Sequence, residues 1–238
     1  MKNLIDKIDA ALLFGYNEYS KEIAKNISFK YKNIEIFSLE ENQESSHFDL
    51  SDDWSDLEEK FDMDNSVAFC VLEDDATNIF LTLSLRASFK NLNIIAFCKN
   101  KEGATKLTLA GANKVIPLVQ TTASMISDML RKPIVTKVMH GILYEKSELK
   151  IAQIRVEKDA NFIGKHPYEV EWGEEFGIIV LSIMQDDINS SFIYSSKAKH
   201  QAIKNGDILI VVGYDNEIIE FESLIGSRCE VNWGNWSR

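Results

Sequence analysis

Short apolar runs alternate with amphipathic segments along the first half of the chain. The apolar runs are typical of buried strands, and they fall at residues 11–14, 34–39, 67–72, 94–98 and 114–117. Helical patterns separate most of them, at residues 21–31, 75–89 and 101–110. This alternation indicates a parallel sheet with right-handed crossovers. We therefore predict an α/β fold, with a Rossmann-like parallel sheet and helices on both faces.

The link between the second and third strands is irregular. Residues 40–65 are acidic and rich in serine, and the only clear pattern in them is an amphipathic piece at 54–61. We therefore predict that this crossover is abbreviated.

The pattern changes after Thr121. It is helical to about Leu130, is interrupted at Pro133 and resumes to about Lys146. Proline removes a backbone donor and clashes with the preceding turn, so two helices meeting at Pro133 are the simplest interpretation. We predict a helical crossover and hinge over residues 120–148.

The remainder of the chain, residues 149–238, is predicted to be a small α+β lobe. Its strand-like runs are 151–156, 177–184 and 207–213, separated by turn signals at 164–165, 189–191 and 205–206, and a final helix covers 216–224. With the Rossmann-like domain assigned to residues 1–119, three segments account for the whole chain.

Composition narrows the class of protein. The chain has 238 residues, 45% of them hydrophobic, and a net charge of -11. This charge argues against nucleic acid and against direct lipid binding, because both call for clustered Lys and Arg. Without an apolar run of about 20 residues or a signal-peptide core, we expect a cytoplasmic location.

The turn after the first strand carries part of a dinucleotide fingerprint. In the full G-x-G-x-x-G pattern, the first glycine makes the turn, the second admits the pyrophosphate and the third packs helix on strand. Here those positions hold Gly15, Asn17 and Ser20. The scaffold is therefore expected to survive, whereas nucleotide binding is left open.

Together, these elements resemble the RCK family, the regulators of potassium conductance. The resemblance is most specific in DDATNIFLTLSLRA at 74–87 and AGANKVIPL at 110–118, and it continues in the second lobe through FIGKHPYEV, GIIVLSI and IKNGDILIVVG. The opening residues Leu4, Ile5 and Asp6 are also similar to the lead-in of calcium-gated prokaryotic channels.

The resemblance implies a regulator of potassium flux. Paired RCK domains self-associate as dimers and assemble into a ring, usually of eight, beneath a potassium channel pore. Ligand binding in the cleft of the N-terminal lobes changes the angle between subunits and pulls on the pore. The helix pair around Pro133 matches the crossover through which two such domains interlock.

The candidate ligand cleft combines three segments of the N-terminal lobe. Its residues are Gly15, Tyr16, Asn17, Tyr19 and Ser20 at the first turn, Ser38 and Glu40 near the end of the second strand, and Glu73, Asp74 and Asp75 after the third. An acid at the end of the second strand would hold ribose hydroxyls, and helix amides would favour an anion, which Glu18 opposes. An adenine nucleotide and a nucleotide-free relic both remain open, so the cofactor is unknown.

No metal site is predicted. The resemblance places the calcium site of the calcium-gated relatives at Val71, Phe97 and Lys99, whose side chains offer no oxygen ligands, so calcium is not expected there. The acidic residues between 49 and 59 are best explained as a solvated surface. Glu145 and Glu148 are a weaker metal candidate.

No catalytic residues are predicted either, because no histidine lies near a nucleophile motif. The tryptophans Trp233 and Trp236 suggest a contact with a partner or a neighbouring subunit.

Three functions follow, in order of preference. The first is the cytosolic regulatory part of a potassium channel, either joined to its pore or made as a separate subunit. The second is a soluble regulatory subunit of a Trk/Ktr-type potassium transporter; members of that group usually keep the nucleotide-binding glycines, two of which are missing here. A dinucleotide-dependent oxidoreductase is a distant third.

Overall fold

A computed structural model describes residues 8–144, 148–157, 160–185, 189–192 and 202–225. The chain forms two compact units, of which the first ends at Ser127 and the second begins at Asp128.

The first unit is built on a six-stranded parallel sheet with the order β3-β2-β1-β4-β5-β6. Its strands are β1 (Ile8–Phe14), β2 (Tyr31–Ser38), β3 (Ser46–His47), β4 (Ser66–Cys70), β5 (Asn93–Cys98) and β6 (Lys114–Pro117). Its helices are α1 (Glu18–Ile27), α2 (Ser55–Lys60), α3 (Asp75–Ser88) and α4 (Lys101–Leu109), and α5 (Leu118–Arg131) follows β6.

Burial on both faces explains why the strands are continuous apolar runs. On one face of β1, Leu12 and Phe14 pack in a cluster with Leu81 and Leu85 of α3. On the other, Leu13 belongs to a second cluster, against which α1 packs. Helices therefore cover both faces, and the predicted Rossmann-like α/β fold is confirmed.

The link between β2 and β4 contributes more than the sequence pattern indicates. It supplies the short edge strand β3, which pairs with the end of β2. It also buries Trp54, which stacks edge-on against Phe14 and donates from Nε1 to Ser84 Oγ at 2.7 Å. The sequence did not predict β3, because a two-residue strand has no period to detect.

The first helix begins three residues earlier than predicted. Asn17 is its N-cap, so α1 starts at Glu18 rather than at Lys21. Asn is among the strongest N-cap residues, and its bonds to the first turn fix this boundary.

The second unit has a four-stranded antiparallel sheet with the order β7-β10-β8-β9. Its strands are β7 (Leu149–Arg155), β8 (Ile179–Gln185), β9 (Asn189–Phe192) and β10 (Ile208–Tyr214), and its helices are α6 (Pro133–Tyr144), α7 (Trp172–Phe176) and α8 (Asp215–Ile225). An aromatic cluster of Phe162, Trp172, Phe176 and Phe221 fills the core. The predicted α+β lobe is present.

One turn prediction in this unit is wrong. Residues 189–191 were expected to separate strands, but they form β9, in which Asn189 pairs with Gln185 and Ser191 with Ile183. An edge strand needs backbone pairing on one side only, so its composition can be as polar as that of a loop.

The predicted helix pair is present, with Pro133 as the first residue of α6. The amide of Lys132 donates to the carbonyl of Asp128 and the amide of Thr136 to that of Lys132, so the hydrogen-bonded turns continue on both sides of the proline. Proline is favoured at a first helical position because its missing donor is not needed there. No helix in the described ranges is long and apolar enough to cross a membrane.

Candidate functional site

A cleft of about 840 Å³ opens at the carboxyl ends of β1, β4, β5 and β6. The strand order reverses between β1 and β4, and open α/β sheets bind ligands at such a switch point. The cleft is thus at the position where this fold offers a ligand site.

Gly15 makes the turn that leads from β1 into the cleft. Its φ is +128°, and a Cβ on it would lie 2.9 Å from the carbonyl carbon and oxygen of Val71. The Gly15 amide also donates to the carbonyl of Phe37 at 2.9 Å. The backbone conformation and the close approach to the end of β4 both require glycine.

Asn17 occupies the position of the second fingerprint glycine and bonds in two directions. Its Oδ1 accepts from the amide of Ser20 at 3.2 Å, and its Nδ2 donates to the carbonyl of Val71 at 2.7 Å. In return, Ser20 Oγ accepts from the Asn17 amide at 3.1 Å and donates to the Asn17 carbonyl at 2.8 Å. This capping box uses one helix-terminal donor, the Ser20 amide, that a phosphate would otherwise bind.

The structure brings together five of the ten candidate residues. Tyr16, Asn17, Tyr19, Glu73 and Asp75 line the cleft. Gly15 forms the turn after β1 and has no side chain to contribute to the lining.

The other four candidates do not line the cleft. Ser20 is buried and bonded to Asn17, while Asp74 is the N-cap of α3. Ser38 is buried, and its Oγ accepts from the amide of Glu40 at 3.1 Å. The carboxylate of Glu40 is on the exposed loop that follows.

Two charged groups of the cleft, those of Glu18 and Lys21, lie close to each other. Lys21 Nζ lies 3.5 Å from Glu18 Oε1 and 4.5 Å from the centre of the Tyr16 ring. Hydrogen bonding to Tyr16 is the main factor that raises the pKa of Lys21. The Asp75 carboxylate accepts from the Lys99 amide at 3.0 and 3.2 Å.

Cys98 lines the cleft but is suited to packing. Burial is the first cause of its raised pKa, and the nearby Asp75 carboxylate adds to the effect. The thiol is therefore held in its unreactive protonated form.

Nine residues of the cleft lining were not among the ten candidates, and three of these nine are Leu72, Leu118 and Val119. Leu118 directly follows β6, and Leu72 and Val119 lie two residues beyond the ends of β4 and β6. The rule that parallel strands deliver their carboxyl ends to one edge would have identified them.

No cluster of three or more His, Cys, Asp or Glu within the described ranges has the arrangement of a metal site. The second lobe does have an acidic pocket, lined by Glu175, Glu217 and Glu220 over Phe221. Glu145, Trp233 and Trp236 lie outside the described residues.

Comparison with known proteins finds relatives of this chain. Residues 55–118 match the family model of the TrkA-N domain. Over 251 residues the chain is 23% identical to probable potassium channel protein 2 of Methanocaldococcus jannaschii, covering 96% of this chain and 70% of that protein. The predicted resemblance to the RCK family is confirmed.

A solved gating-ring structure shares the fold. The human SLO3 gating ring has a TM-score of 0.63 at 11% identity, covering 91% of this chain and 46% of that one. The GsuK RCK domain has a TM-score of 0.47 at 17% identity, again covering 91% and 46%, and the GsuK channel bound to NAD has a TM-score of 0.47 at 17% identity, covering 91% and 38%. The chain thus spans half or less of these solved chains.

The three positions that the RCK resemblance aligns with the calcium site of calcium-gated relatives also belong to this cleft. Val71, Phe97 and Lys99 all line it. Their side chains give the cleft an aromatic ring and an ammonium group in place of carboxylates.

Proposed function

We propose that this chain is the RCK-type regulatory part of a potassium channel and acts on the cytoplasmic side of the membrane. The similarity to a potassium channel protein carries this proposal, because it extends over 96% of this chain and 70% of that protein. The confirmed RCK-type fold supports it.

The cleft is the proposed regulatory site. Leu118 and Val119, the first two residues of α5, line it. Since α5 continues through Ser127 to Arg131, it runs from the first compact unit into the second. A ligand that prefers one position of this helix would shift the equilibrium between two arrangements of the protein. Its identity, an adenine nucleotide or another molecule, is part of the proposal.

Self-association through α5 and α6 completes the regulatory device. No residue from 118 to 142 is buried, and Leu130 and Ile134 are 79% and 78% exposed. Other exposed apolar side chains on the two helices, apart from the cleft residue Val119, are Met125, Ile126, Met129, Val135, Val138 and Met139. An apolar surface of this kind marks a protein interface, and a second copy of the helix pair is the proposed occupant. The expected assembly is a dimer, and several such dimers are expected to form a ring.

A regulatory subunit of a Trk/Ktr-type transporter is the alternative. The altered glycine positions favour the channel, because transporter regulators usually keep the glycines that bind a nucleotide. Here the bonds of Asn17 to Val71 and Ser20 occupy the position where its phosphates would lie. The same observation argues against an oxidoreductase. We retain the division into residues 1–119, 120–148 and 149–238 as the functional segments of the proposal.

The decisive experiment identifies the membrane partner and then measures flux. In the channel case, an in-frame upstream segment or a co-purifying protein contains two membrane helices and a TVGYG-like filter. Potassium flux through proteoliposomes holding that pore should change when this chain is removed. Unchanged flux would overturn the proposal, and co-purification with a Trk/Ktr-type transporter would establish the alternative. Measurable NADH oxidation with a hydroxy acid or aldehyde would instead indicate an enzyme.

The assembly is tested separately. The mass of the purified chain in solution should exceed that of a monomer, and Leu130→Asp with Ile134→Asp should return it to a monomer. Phe29→Asp is the matched control, because Phe29 is 71% exposed and lies outside the helix pair. A wild-type monomer at high concentration would contradict the proposed ring.

A further inference from the structure

The cleft differs from a dinucleotide site at the place where the phosphates would lie. Asn17 bonds to the Ser20 amide and to the Val71 carbonyl, so its side chain fills the space that a second glycine leaves open. A pyrophosphate needs both that space and free helix-terminal amides. In this chain the Asn17 side chain takes that space and one of those amides, that of Ser20.

In a dinucleotide site the adenosine lies on the β2 side of the sheet, and in this chain that side does not contribute to the cleft. The cleft is lined from β1, β4, β5 and β6, and no residue of β2 or of the loop after it contributes. The Tyr16 hydroxyl donates to the Glu44 carboxylate, which ties the turn after β1 to the loop after β2. Ser38, near the ribose position, is buried and bonded to the Glu40 amide.

The open half is aromatic and apolar. The rings of Tyr19 and Phe97 meet edge to face, with their centres 5.5 Å apart, at the carboxyl end of β5. Leu118 and Val119 enter from α5 and Leu72 from the end of β4. Tyr19 is 51% exposed and Val119 is 61% exposed, so both present free surface to a ligand.

The charges of the lining disfavour a phosphate chain. They comprise the carboxylates of Glu18, Glu73 and Asp75 against the ammonium groups of Lys21 and Lys99. Glu18 and Lys21 already pair with each other. The lining has no positive excess with which to compensate several phosphate charges, whereas an uncharged ring meets no such penalty.

We propose that the cleft binds a planar, uncharged aromatic molecule on the β4–β5–β6 side and recognises its ring rather than any phosphate chain. The ring stacks against Tyr19 and Phe97 and contacts Val119 at the start of α5. The inference rests on the proposed function in taking this cleft as the regulatory site. It goes further by naming the class of ligand.

The test measures the affinity of the full chain for indole, adenosine, ADP and NAD by ligand-observed NMR. Indole and adenosine should bind in the millimolar range or tighter, and ADP and NAD should bind no tighter than adenosine. Tyr19→Ala should weaken indole and adenosine binding at least about fivefold, as expected for the loss of a stacking partner. Val119→Trp should weaken the binding of indole and adenosine, because the larger side chain narrows the apolar side of the cleft.

Phe80→Ala is the matched control. Phe80 is on α3, outside the cleft lining, and its 53% exposure is close to that of Tyr19, so its removal should leave all four affinities unchanged. The inference is overturned if indole and adenosine do not bind, if ADP or NAD binds tighter than adenosine, or if Phe80→Ala weakens binding as much as Tyr19→Ala.

The potassium-flux measurement keeps the two proposals apart. Flux that depends on the chain without any aromatic binding would overturn only the ligand class. Aromatic binding without any effect of the chain on flux would overturn only the regulatory function.

Discussion

The side-chain amide of Asn17 donates a 2.7 Å hydrogen bond to the backbone carbonyl of Val71. This bond joins the turn after β1 to the end of β4, across the switch point of the sheet. The same side chain caps α1 by accepting from the Ser20 amide. One residue therefore stabilises the turn and occupies the floor of the cleft.

These two roles of Asn17 can be separated by substitution. Asn17→Asp keeps an acceptor for the helix cap but cannot donate to Val71, so it should lose about 0.5–1.5 kcal/mol of stability. Asn17→Ala removes the cap as well, which adds about 0.5–2 kcal/mol. Hydrogen exchange of the β1 amides measures the stability of the first unit alone. Equal losses in the two variants would show that the cap contributes nothing.

Restoring the fingerprint should restore phosphate binding. In Asn17→Gly with Ser20→Gly, the side chain over the floor and its partner in the capping box are both removed. We expect ADP to bind at least tenfold tighter than to wild type, as titration calorimetry would measure. Phe80→Ala serves as the control, since it removes an exposed ring outside the cleft lining without freeing helix-terminal amides. No gain in the double variant would mean that Asn17 is not what excludes the phosphates.

Gly15 should not tolerate even the smallest side chain. Gly15→Ala places a Cβ 2.9 Å from Val71 at a φ of +128°, and the backbone strain alone costs about 1–3 kcal/mol. Urea unfolding of Gly15→Ala and of a control variant, each compared with wild type, measures the loss of stability. Gly173→Ala is the control, because Gly173 lies in α7 and nothing is within 4 Å of its added Cβ. This control should be neutral or more stable by about 0.4–1 kcal/mol, and an equally stable Gly15→Ala would contradict the proposed role of the turn.

The sequence pattern was sufficient for most of the fold, because continuous apolar runs mark the buried strands of the first unit. These runs predicted β1, β4 and β5, which are buried on both faces. The segment 110–118, where the family resemblance is most specific, also takes part in a set of hydrogen bonds that the pattern does not reveal. There, Arg86 donates to the carbonyls of Leu92 and Gly111 and to Asn113 Oδ1, with Gly111 packed beneath its side chain. These bonds join α3 to residues far along the chain, which no local pattern reports.

The site was predicted less completely, for a related reason. The pattern located Gly15 and Asn17, because a glycine fingerprint is local. It did not show that Ser38 is buried or that Val119 faces the cleft, since both depend on how the strand ends meet in space. The edge strand β9 was missed because its polar residues have no period of their own.

The N-cap of α3 should make stability depend on pH. Asp74 Oδ2 accepts from the Thr77 hydroxyl and from the Thr77 amide, each at 2.8 Å. These two bonds, in that order, lower the pKa of Asp74 below its ordinary value, and the charge of Lys99 contributes. Because the folded state holds the proton less tightly than the unfolded state, the contribution is complete above the ordinary aspartate pKa of about 3.9. It is lost as the pH falls through the lower pKa of the folded protein.

The comparison of wild type with Asp74→Ala tests this directly. Urea unfolding should show a constant difference in stability between pH 7 and pH 5, which shrinks below about pH 4 as Asp74 is protonated. Asp64→Ala is the control, because Asp64 is an exposed acid in the 3₁₀ turn Met63–Asn65 and caps no helix. Its difference from wild type should stay small across the same range. A difference for Asp74→Ala that persists unchanged to pH 3 would show that the cap does not depend on the charge of the carboxylate.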